Sequence, residues 1–179
     1  MYDDTVFYTH VDSPIGPILL AGSEDRLLMT SFPAGRGRRE PKAGWVEDRA
    51  ALKEAGRQIE AYFAGDLTEF GLELAPTGST FEMAVWAELE KIPYGETVSY
   101  GDIAKRIGQP HSPESVSASR AVGVACGANP LPIVIPCHRV VGANGALTGF
   151  GGGLAAKRHL LDLEFRVRPP AGTLFAAMN

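Results

Sequence analysis

Cysteine is scarce in this 179-residue sequence, which has two, and long apolar runs are missing. Two cysteines cannot build the disulfide framework of a small secreted domain. No apolar run approaches the roughly 18–20 residues needed to cross a membrane. The acidic start of the chain, Met1 to Asp4, lacks the basic region of a signal peptide. These absences predict a reduced, cytoplasmic protein.

Positive charge is also in short supply, since 17 Lys and Arg face 21 Asp and Glu, for a net charge of −4. The deficit is uneven: the first 78 residues hold 8 basic and 13 acidic side chains, and the remaining residues hold 9 and 8. A mildly basic second half predicts few phosphate contacts and a modest, salt-sensitive affinity for nucleic acid. The overall charge therefore neither requires nor excludes DNA as a partner.

The first 78 residues predict a small α+β unit, followed by a second unit after a linker at 75–78 that contains Pro and Gly. This first unit has no cysteine and no concentrated chemistry, so we interpret it as structural. The stretch 33–44, rich in Gly, Pro and Arg, is typical of an exposed loop with solvated arginines at 36, 38 and 39. The predicted elements are strands at 5–8, 18–21, 26–32 and 70–74 and a helix at 45–63.

Helix-start signals are frequent from residue 79 onward. Ser79 and Ser99 each stand three positions before an acidic residue, which is a capping-box pattern, and Ser112 precedes a proline suited to a first helical turn. The two short helices that begin at Ser99 and Ser112 predict a helix-turn-helix. The predicted helices span 79–92, 99–108, 112–127 and 154–164, with a loosely attached tail at 166–179.

The second helix of this pair carries small residues and a single basic one, Arg120. It lacks long polar side chains that read base edges, so sequence-specific recognition in the major groove is not expected. Side chains this small allow the helix to approach a nucleic-acid backbone or a narrow groove closely. They are equally suited to tight packing against another helix. The small residues are Ser117, Ala118, Ser119, Ala121, Gly123, Ala125 and Gly127.

A thiol and an imidazole follow each other in the apolar stretch Ile-Val-Ile-Pro-Cys-His-Arg-Val-Val at 133–141. A cysteine is a nucleophile only as thiolate, and its ordinary pKa of about 8.5 falls beside a histidine or a helix N-terminus. Neighbouring residues on an extended chain point to opposite faces. Contact between Cys137 and His138 therefore requires a turn at Pro136 or a bridging water. Taken alone, a buried cysteine is more often a small packing residue.

The surrounding stretch from Asn129 to Gly153 resembles the active-site signature of the methylated-DNA–protein-cysteine methyltransferases, or O6-alkylguanine-DNA alkyltransferases. The resemblance rests on the Pro-Cys-His-Arg-Val core, an Asn-Pro eight residues before Cys137 and a Gly-Gly-Leu after it. It covers residues 81–164 well and the earlier part of the chain loosely. It implies an α+β protein with a small ferredoxin-like or RNase H-like N-terminal domain and a mostly helical C-terminal domain.

The resemblance also implies a set of catalytic roles. Cys137 would accept the alkyl group of O6-alkylguanine, and also of O4-methylthymine, in double-stranded DNA. His138, oriented by Glu164, would activate the thiol through a water molecule. Tyr100 would protonate or hydrogen-bond the leaving guanine, and Asn129 would organise the turn. Nothing regenerates the thiol, so each molecule would react once, as a monomer and without a cofactor or metal.

For DNA, the resemblance implies that the small-residue helix lies in the minor groove and that Arg120 replaces a flipped-out base. Phe150 and Gly151 stand where relatives often have Tyr and a small polar residue, which alters pocket polarity. Residues at further matching positions would contact DNA or line the base pocket: Ser119, Ala121 and Tyr100 on the DNA side, and the Cys137 and Val140 backbone, Phe150, Gly151 and Lys157 in the pocket.

Several other readings compete with this one. A non-catalytic lesion sensor of the same fold would replace the nucleophile, and a helix-turn-helix regulator would need base-reading side chains. A cysteine hydrolase would turn over repeatedly. The Gly-rich stretch at 148–153 is not a phosphate-binding P-loop because no Lys-Ser/Thr follows it. A zinc site is not expected, since no compact ligand spacing joins Cys126, Cys137, His138 and His111.

Overall fold

The computed structural model describes residues 5–108 and 115–169, and side chains at 115–117 are outside the description. A small sheet comes first and helices dominate the rest. The elements are β1 (Phe7–Val11), β2 (Ile18–Gly22), β3 (Leu27–Ser31), β4 (Val46–Glu47), α1 (Lys53–Phe63), α2 (Thr80–Glu90), β5 (Val98–Ser99), α3 (Tyr100–Arg106), α4 (Ser115–Gly127), a 3₁₀ turn (Cys137–Arg139), β6 (Val140–Val141) and α5 (Leu154–Val167).

The N-terminal sheet has the strand order β3-β2-β1-β4. β1, β2 and β3 pair antiparallel, whereas β4 pairs parallel to β1. Successive residues of a strand point to opposite faces. On β2, Ile18 and Leu20 join the main core, and Leu19 and Ala21 join a small cluster with Met29 on the other face. Both faces of β2 are therefore covered, as its continuous apolar sequence requires.

Both predicted capping boxes are present. Ser79 accepts from the backbone N–H of Glu82 and opens α2, and Ser99 does the same with Asp102 to open α3. Each acidic side chain in turn accepts from the backbone N–H of its serine. Two exposed N–H groups are satisfied at each helix start.

The C-terminal helices pack against one another around an indole. The fully buried Trp86 of α2 donates its Nε1–H to the Ala125 carbonyl oxygen of α4 at 2.8 Å. α3 packs on α4, and the 137–139 turn packs on α2 and α5. The start of the helix predicted from Ser112 lies outside the described residues.

One continuous hydrophobic core joins the two halves of the chain. Ile59 and Tyr62 of α1 belong to the same cluster as Leu160 and Leu163 of α5. β3 is also bonded to the segment before the cysteine, because Thr30 donates its hydroxyl to the Pro132 carbonyl at 2.6 Å. The N-terminal unit therefore supports the segment that carries Cys137.

Four local predictions were wrong at their boundaries. The strand predicted at 5–8 lies at Phe7–Val11. The helix predicted from residue 45 begins only at Lys53, because Val46–Glu47 pairs with β1 and the Asp48 carboxylate caps the following turn. The strand predicted at 70–74 is a single bridge from Leu74 to Leu27, because Gln58 takes the Gly71 N–H. The last helix continues to Val167.

The architecture is otherwise the predicted one, a small α+β unit followed by a mostly helical unit. Within residues 5–108 and 115–169, no helix is both long enough and apolar enough to cross a membrane.

Candidate active site around Cys137

The chain turns at Pro136 and so removes Cys137 from any extended strand. Pro136 has φ −81° and ψ 66°, and the Cys137 N–H donates to the Ile135 carbonyl at 2.8 Å. These values define an inverse γ-turn, and one turn of 3₁₀ helix follows. Ile133, a β-branched residue, is held at φ 77°. Such strain persists only where the surrounding structure enforces it.

Asn129 holds this turn from inside. Its side-chain N–H donates to the Ile135 carbonyl at 2.9 Å, and its side-chain oxygen accepts from the Leu131 N–H at 2.9 Å. Both ends of the apolar run are thereby tied to one buried amide, which is the arrangement expected for this residue.

Cys137 is 5% exposed. Burial raises the pKa of its thiol, and hydrogen bonding from Asn129 and the positive charge of Lys157 oppose this only in part. The thiol is therefore protonated at rest and needs a base to activate it, which is the role expected for His138.

His138 is fully buried, and its Nε2 lies 2.5 Å from Glu164 Oε2. Burial lowers the pKa of His138, although Glu164 opposes the shift. Burial alone would raise the pKa of Glu164, but His138 and Arg139 together lower it. The pair is therefore a neutral imidazole beside an ionised carboxylate.

A neutral imidazole carries one proton, and the carboxylate places it on Nε2. Nδ1 of His138 is then an unprotonated acceptor. Nδ1 is buried and has no hydrogen-bond partner among the described residues. Since Nδ1 has no hydrogen-bond partner in the described part of the chain, the expected coupling between this imidazole and the Cys137 thiol needs a bridging water.

Arg139 is a site residue that sequence reasoning missed. Its Nε donates to Glu164 Oε1 at 2.7 Å, and a terminal nitrogen donates to the Ile92 carbonyl at 2.6 Å. The residue is 7% exposed. Its signal was a charged side chain inside an apolar run, since a buried arginine requires an anionic partner.

Tyr62 was also missed, because the N-terminal unit was interpreted as structural. Its hydroxyl lies 3.5 Å from His138 Nε2, and the side chain is fully buried. The contact spans 76 positions of sequence, and no local pattern could have indicated it.

Lys157 and Tyr100 form a second polar group beside the cysteine. The fully buried Lys157 donates to the Val140 carbonyl at 2.6 Å and to the Tyr100 hydroxyl at 3.4 Å. Thr148 also donates to that hydroxyl, at 3.1 Å. Because the Tyr100 oxygen accepts from both neighbours, its own O–H is left to donate elsewhere. Burial raises the pKa of Tyr100, so it keeps its proton at neutral pH.

An open cleft of about 880 Å³ lies outside this group, with Tyr100, Ser119, the exposed Arg120, Phe150 and Gly151 in its wall. A cavity of about 20 Å³ shares Phe150 and Gly151 with it and has Cys137 in its lining. The cleft therefore leads toward the thiol.

Two other features lie outside this path. Ala121 is half-buried on α4 and does not line the described cleft. A separate cleft of about 740 Å³ contacts Pro136 and Arg139 without including Cys137.

The loop at 33–44 is largely exposed, as its composition predicted, but residues 35–37 also contact the Gly-rich loop at 149–153. The Gly37 N–H donates to the Gly151 carbonyl at 2.8 Å, and Phe32, just before the loop, packs edge-on against Phe150. The arginines of the loop have different surroundings: Arg36 lines the cleft, Arg38 pairs with exposed Glu40, and Arg39 reaches the Ala128 carbonyl at 3.4 Å.

Comparison with known proteins covers both halves of the chain. Residues 80–166 match the family model described as 6-O-methylguanine DNA methyltransferase, DNA binding domain, and residues 6–76 match its ribonuclease-like domain. The methylated-DNA–protein-cysteine methyltransferase of Methanosarcina acetivorans is 52% identical over 159 residues, which are 89% of this chain and 98% of that protein. The chain belongs to the methylated-DNA–protein-cysteine methyltransferase family.

Relatives and solved structures from Mycobacterium tuberculosis agree with this membership. The methylated-DNA–protein-cysteine methyltransferase of that organism is 48% identical over 171 residues, 95% of this chain and 99% of that protein. The crystal structure of Mycobacterium tuberculosis OGT in complex with DNA superposes with a TM-score of 0.81 at 47% identity, covering 92% of this chain and 96% of that one. These matches confirm the predicted family and fold class.

Proposed function

We propose that this protein repairs DNA by transferring the alkyl group of O6-alkylguanine, or of O4-methylthymine, irreversibly to Cys137. The observation that carries the proposal is the buried, unprotonated Nδ1 of His138, the residue that follows Cys137 in the chain. Glu164 holds the other nitrogen of the same ring. The relatives named methylated-DNA–protein-cysteine methyltransferase support the same chemistry.

The reaction begins with proton removal from Cys137. A bridging water passes the thiol proton to His138 Nδ1, and Glu164 stabilises the imidazolium that forms. Arg139 keeps Glu164 ionised and in place. The raised pKa of Cys137 keeps the thiol unreactive until this transfer occurs.

The alkyl group then moves in one displacement. Cys137 Sγ attacks the alkyl carbon, a sulfur–carbon bond forms, and the carbon–O6 bond breaks with its electron pair retained by guanine. The Tyr100 O–H hydrogen-bonds or protonates the departing base, which leaves as neutral guanine. The product is a thioether with no route back to the thiol, so each molecule acts once.

The reactive carbon lies inside a stacked duplex, so the nucleotide must be flipped into the cleft at a cost of a few kcal/mol. α4 occupies the minor groove, with Ser119 and Ala121 near the backbone, and Arg120 fills the space that the base leaves. The flipped base lies against Phe150, with contacts to the backbone of Cys137, Val140 and Gly151. Lys157 orders this wall through the Val140 carbonyl.

The two units divide the work. Residues 79–165 carry DNA binding and transfer, and residues 1–78 support them. The tail predicted at 166–179 starts later than that boundary, because α5 runs to Val167, and residues 170–179 lie outside the described part of the chain. A thiol of this kind needs a reducing compartment such as the cytoplasm, and one monomer contains every group that the reaction uses.

Intact-protein mass spectrometry tests the proposal, using a duplex with one O6-methylguanine. We expect wild type to gain one methyl group, mapped to Cys137 and saturating at one equivalent. Cys137→Ser should gain nothing, and Cys126→Ser, which removes the other thiol, should react like wild type. Preferential binding of the lesion without methyl gain would indicate a damage sensor. The absence of both preferential binding and methyl gain would refute a repair function.

A further inference from the structure

The hydroxyl of Tyr62 belongs to the N-terminal unit but lies inside the proton-transfer group of the C-terminal unit. It is 3.5 Å from His138 Nε2, at the outer limit of a hydrogen bond, and the side chain is fully buried. Burial and the charge of Glu164 raise the pKa of Tyr62 well above its ordinary value. The hydroxyl therefore keeps its proton and is available as a donor.

Aromatic neighbours fix the direction of this hydroxyl. The Tyr62 ring contacts Phe63 at 5.4 Å, Phe70 at 5.5 Å and Tyr94 at 6.2 Å between centroids. A ring packed on three sides in a dense core holds one rotamer. The position of the hydroxyl beside His138 is thus a fixed feature of the fold.

The hydrogen bonds around Glu164 leave a defined place for one more donor. Oε2 accepts from His138, and Oε1 accepts from both Nε and a terminal nitrogen of Arg139, while a carboxylate has about four acceptor positions. Tyr62 can donate its proton to Glu164 and share the Nε2 proton of His138. The second interaction requires that His138 carry its proton on Nε2, which leaves Nδ1 free.

We propose that Tyr62 is a positioning residue for alkyl transfer, through which the N-terminal unit holds the Glu164 carboxylate against the Nε2–H of His138 and so keeps Nδ1 free to accept the thiol proton. This inference rests on the function proposed above. It assigns a specific role to the helix α1, beyond its contribution to the core.

The proposal predicts a shift in the pH dependence of the reaction. The charged groups acting on His138 are Glu164 on α5, Arg139 on the adjoining turn and Lys157 on α5. Removing the Tyr62 donor leaves more negative charge on Glu164 for His138, and this raises the pKa of His138. Since protonated His138 cannot act as base, the rising limb of the pH–rate profile moves to higher pH.

The test compares Tyr62→Phe with Tyr94→Phe. Both remove one buried hydroxyl from the same aromatic group and keep the ring. The Tyr94 hydroxyl has no hydrogen-bond partner in the described part of the chain. The measurements are the rate constant for methyl transfer across pH, the DNA dissociation constant, and the ¹⁵N shifts of the His138 ring.

We expect Tyr62→Phe to slow methyl transfer about three- to tenfold, as for loss of one long hydrogen bond of ordinary strength, with the profile shifted and DNA affinity unchanged. Tyr94→Phe should match wild type in rate and profile. A wild-type rate and profile in Tyr62→Phe, or equal losses in both variants, would overturn the positioning role.

The nitrogen shifts separate this inference from the proposed function. If wild type transfers no methyl group, the function fails, yet the His138 tautomer can still be read. A higher pKa of His138 in Tyr62→Phe, read from the pH titration of these shifts, would then support the positioning role, and identical titration in both proteins would refute it.

Discussion

Glu164 accepts from His138 and Arg139 while fully buried, so one carboxylate stabilises two groups that carry or can carry positive charge. A buried ion pair contributes little net stability compared with apolar packing. Loss of one partner is different, because the remaining charge stays desolvated and unpaired. The effect of a substitution here therefore depends on what is left behind.

Glu164→Gln should lower the free energy of unfolding by about 3–5 kcal/mol, because the Arg139 guanidinium remains buried without an anion. Urea unfolding measures the change. Glu60→Gln removes a carboxylate from an exposed pair with Arg49 and should have no measurable effect. A small loss in Glu164→Gln would mean that Arg139 reaches water in the folded state.

Stability should also fall on acidification in two steps. The pKa of His138 is lowered below 6.5 in the folded protein, and that of Glu164 is lowered below 4.5. In both cases the unfolded chain binds the proton first, so stability falls as pH decreases. The loss of stability from His138 begins below pH 6.5, and a second loss from Glu164 begins below pH 4.5. Each loss continues until the pH falls below the folded-state pKa of that group.

Urea unfolding at a series of pH values checks this expectation. His138→Asn should lose the first step and weaken the second, because His138 acts with Arg139 to lower the pKa of Glu164. His10→Gln, which changes an exposed histidine of β1, should keep both. Stability that is flat between neutral pH and 4.5 would contradict the assignment of His138 as a buried neutral base.

At the scale of elements, the two capping boxes allow a matched comparison. Ser99 opens α3, whose first residue is Tyr100, whereas Ser79 opens α2, which starts away from the cleft. Replacing either serine by alanine should cost about 1 kcal/mol of stability. Only Ser99→Ala should also slow methyl transfer, because it loosens the backbone that positions Tyr100. Equal transfer rates in both variants would show that Tyr100 is held from elsewhere.

α4 presents Arg120 to solvent at the cleft. Arg120→Ala should slow transfer from duplex DNA by about tenfold or more, because base flipping loses the group that replaces the base. Transfer from a free O6-alkylguanine base needs no flipping and should be unchanged. Arg158→Ala removes an equal charge from an exposed position of α5 and should alter neither rate. Equal slowing on both substrates would assign Arg120 to the chemical step.

At the scale of the whole molecule, the loop at 33–39 closes against the Gly-rich loop. Gly35 has φ +91°, and a Cβ there would lie 2.2 Å from the Gly151 carbonyl oxygen. Gly44 has a similar φ of +87° with nothing within 4 Å. A side chain at either position would therefore meet the same unfavourable left-handed backbone, but only at position 35 would it also collide with the Gly-rich loop.

Gly44→Ala should cost only the left-handed strain, about 1–2 kcal/mol. Gly35→Ala should cost more and should slow methyl transfer, because it separates the two loops. Thermal unfolding and the transfer rate measure both effects. Equal behaviour of the two variants would show that the loop contact does not shape the base pocket.

Local patterns predicted much of this molecule. The capping boxes at Ser79 and Ser99 were readable because a helix start depends on residues three positions apart. The turn at Pro136 followed from proline geometry. The relation of Asn129, Cys137 and the loop after them came from the family resemblance, and the structure brings these residues together.

What could not be predicted depends on contacts distant in sequence. Arg139 and Glu164 are 25 positions apart, and Tyr62 and His138 are 76 apart. The helical spacing after Trp45 was outweighed by pairing of Val46 with β1. The burial that raises the pKa of Cys137 likewise depends on the finished core.

The hydrogen bond from Trp86 to the Ala125 carbonyl gives the protein an internal optical reporter. The indole is 2% exposed and is bonded to the helix that carries Arg120, whereas Trp45 packs against the far face of the N-terminal sheet. Indole emission depends on its hydrogen bonding and solvation. Movement of α4 on engaging DNA should therefore change the Trp86 emission and leave that of Trp45 constant, so that docking can be timed without a dye.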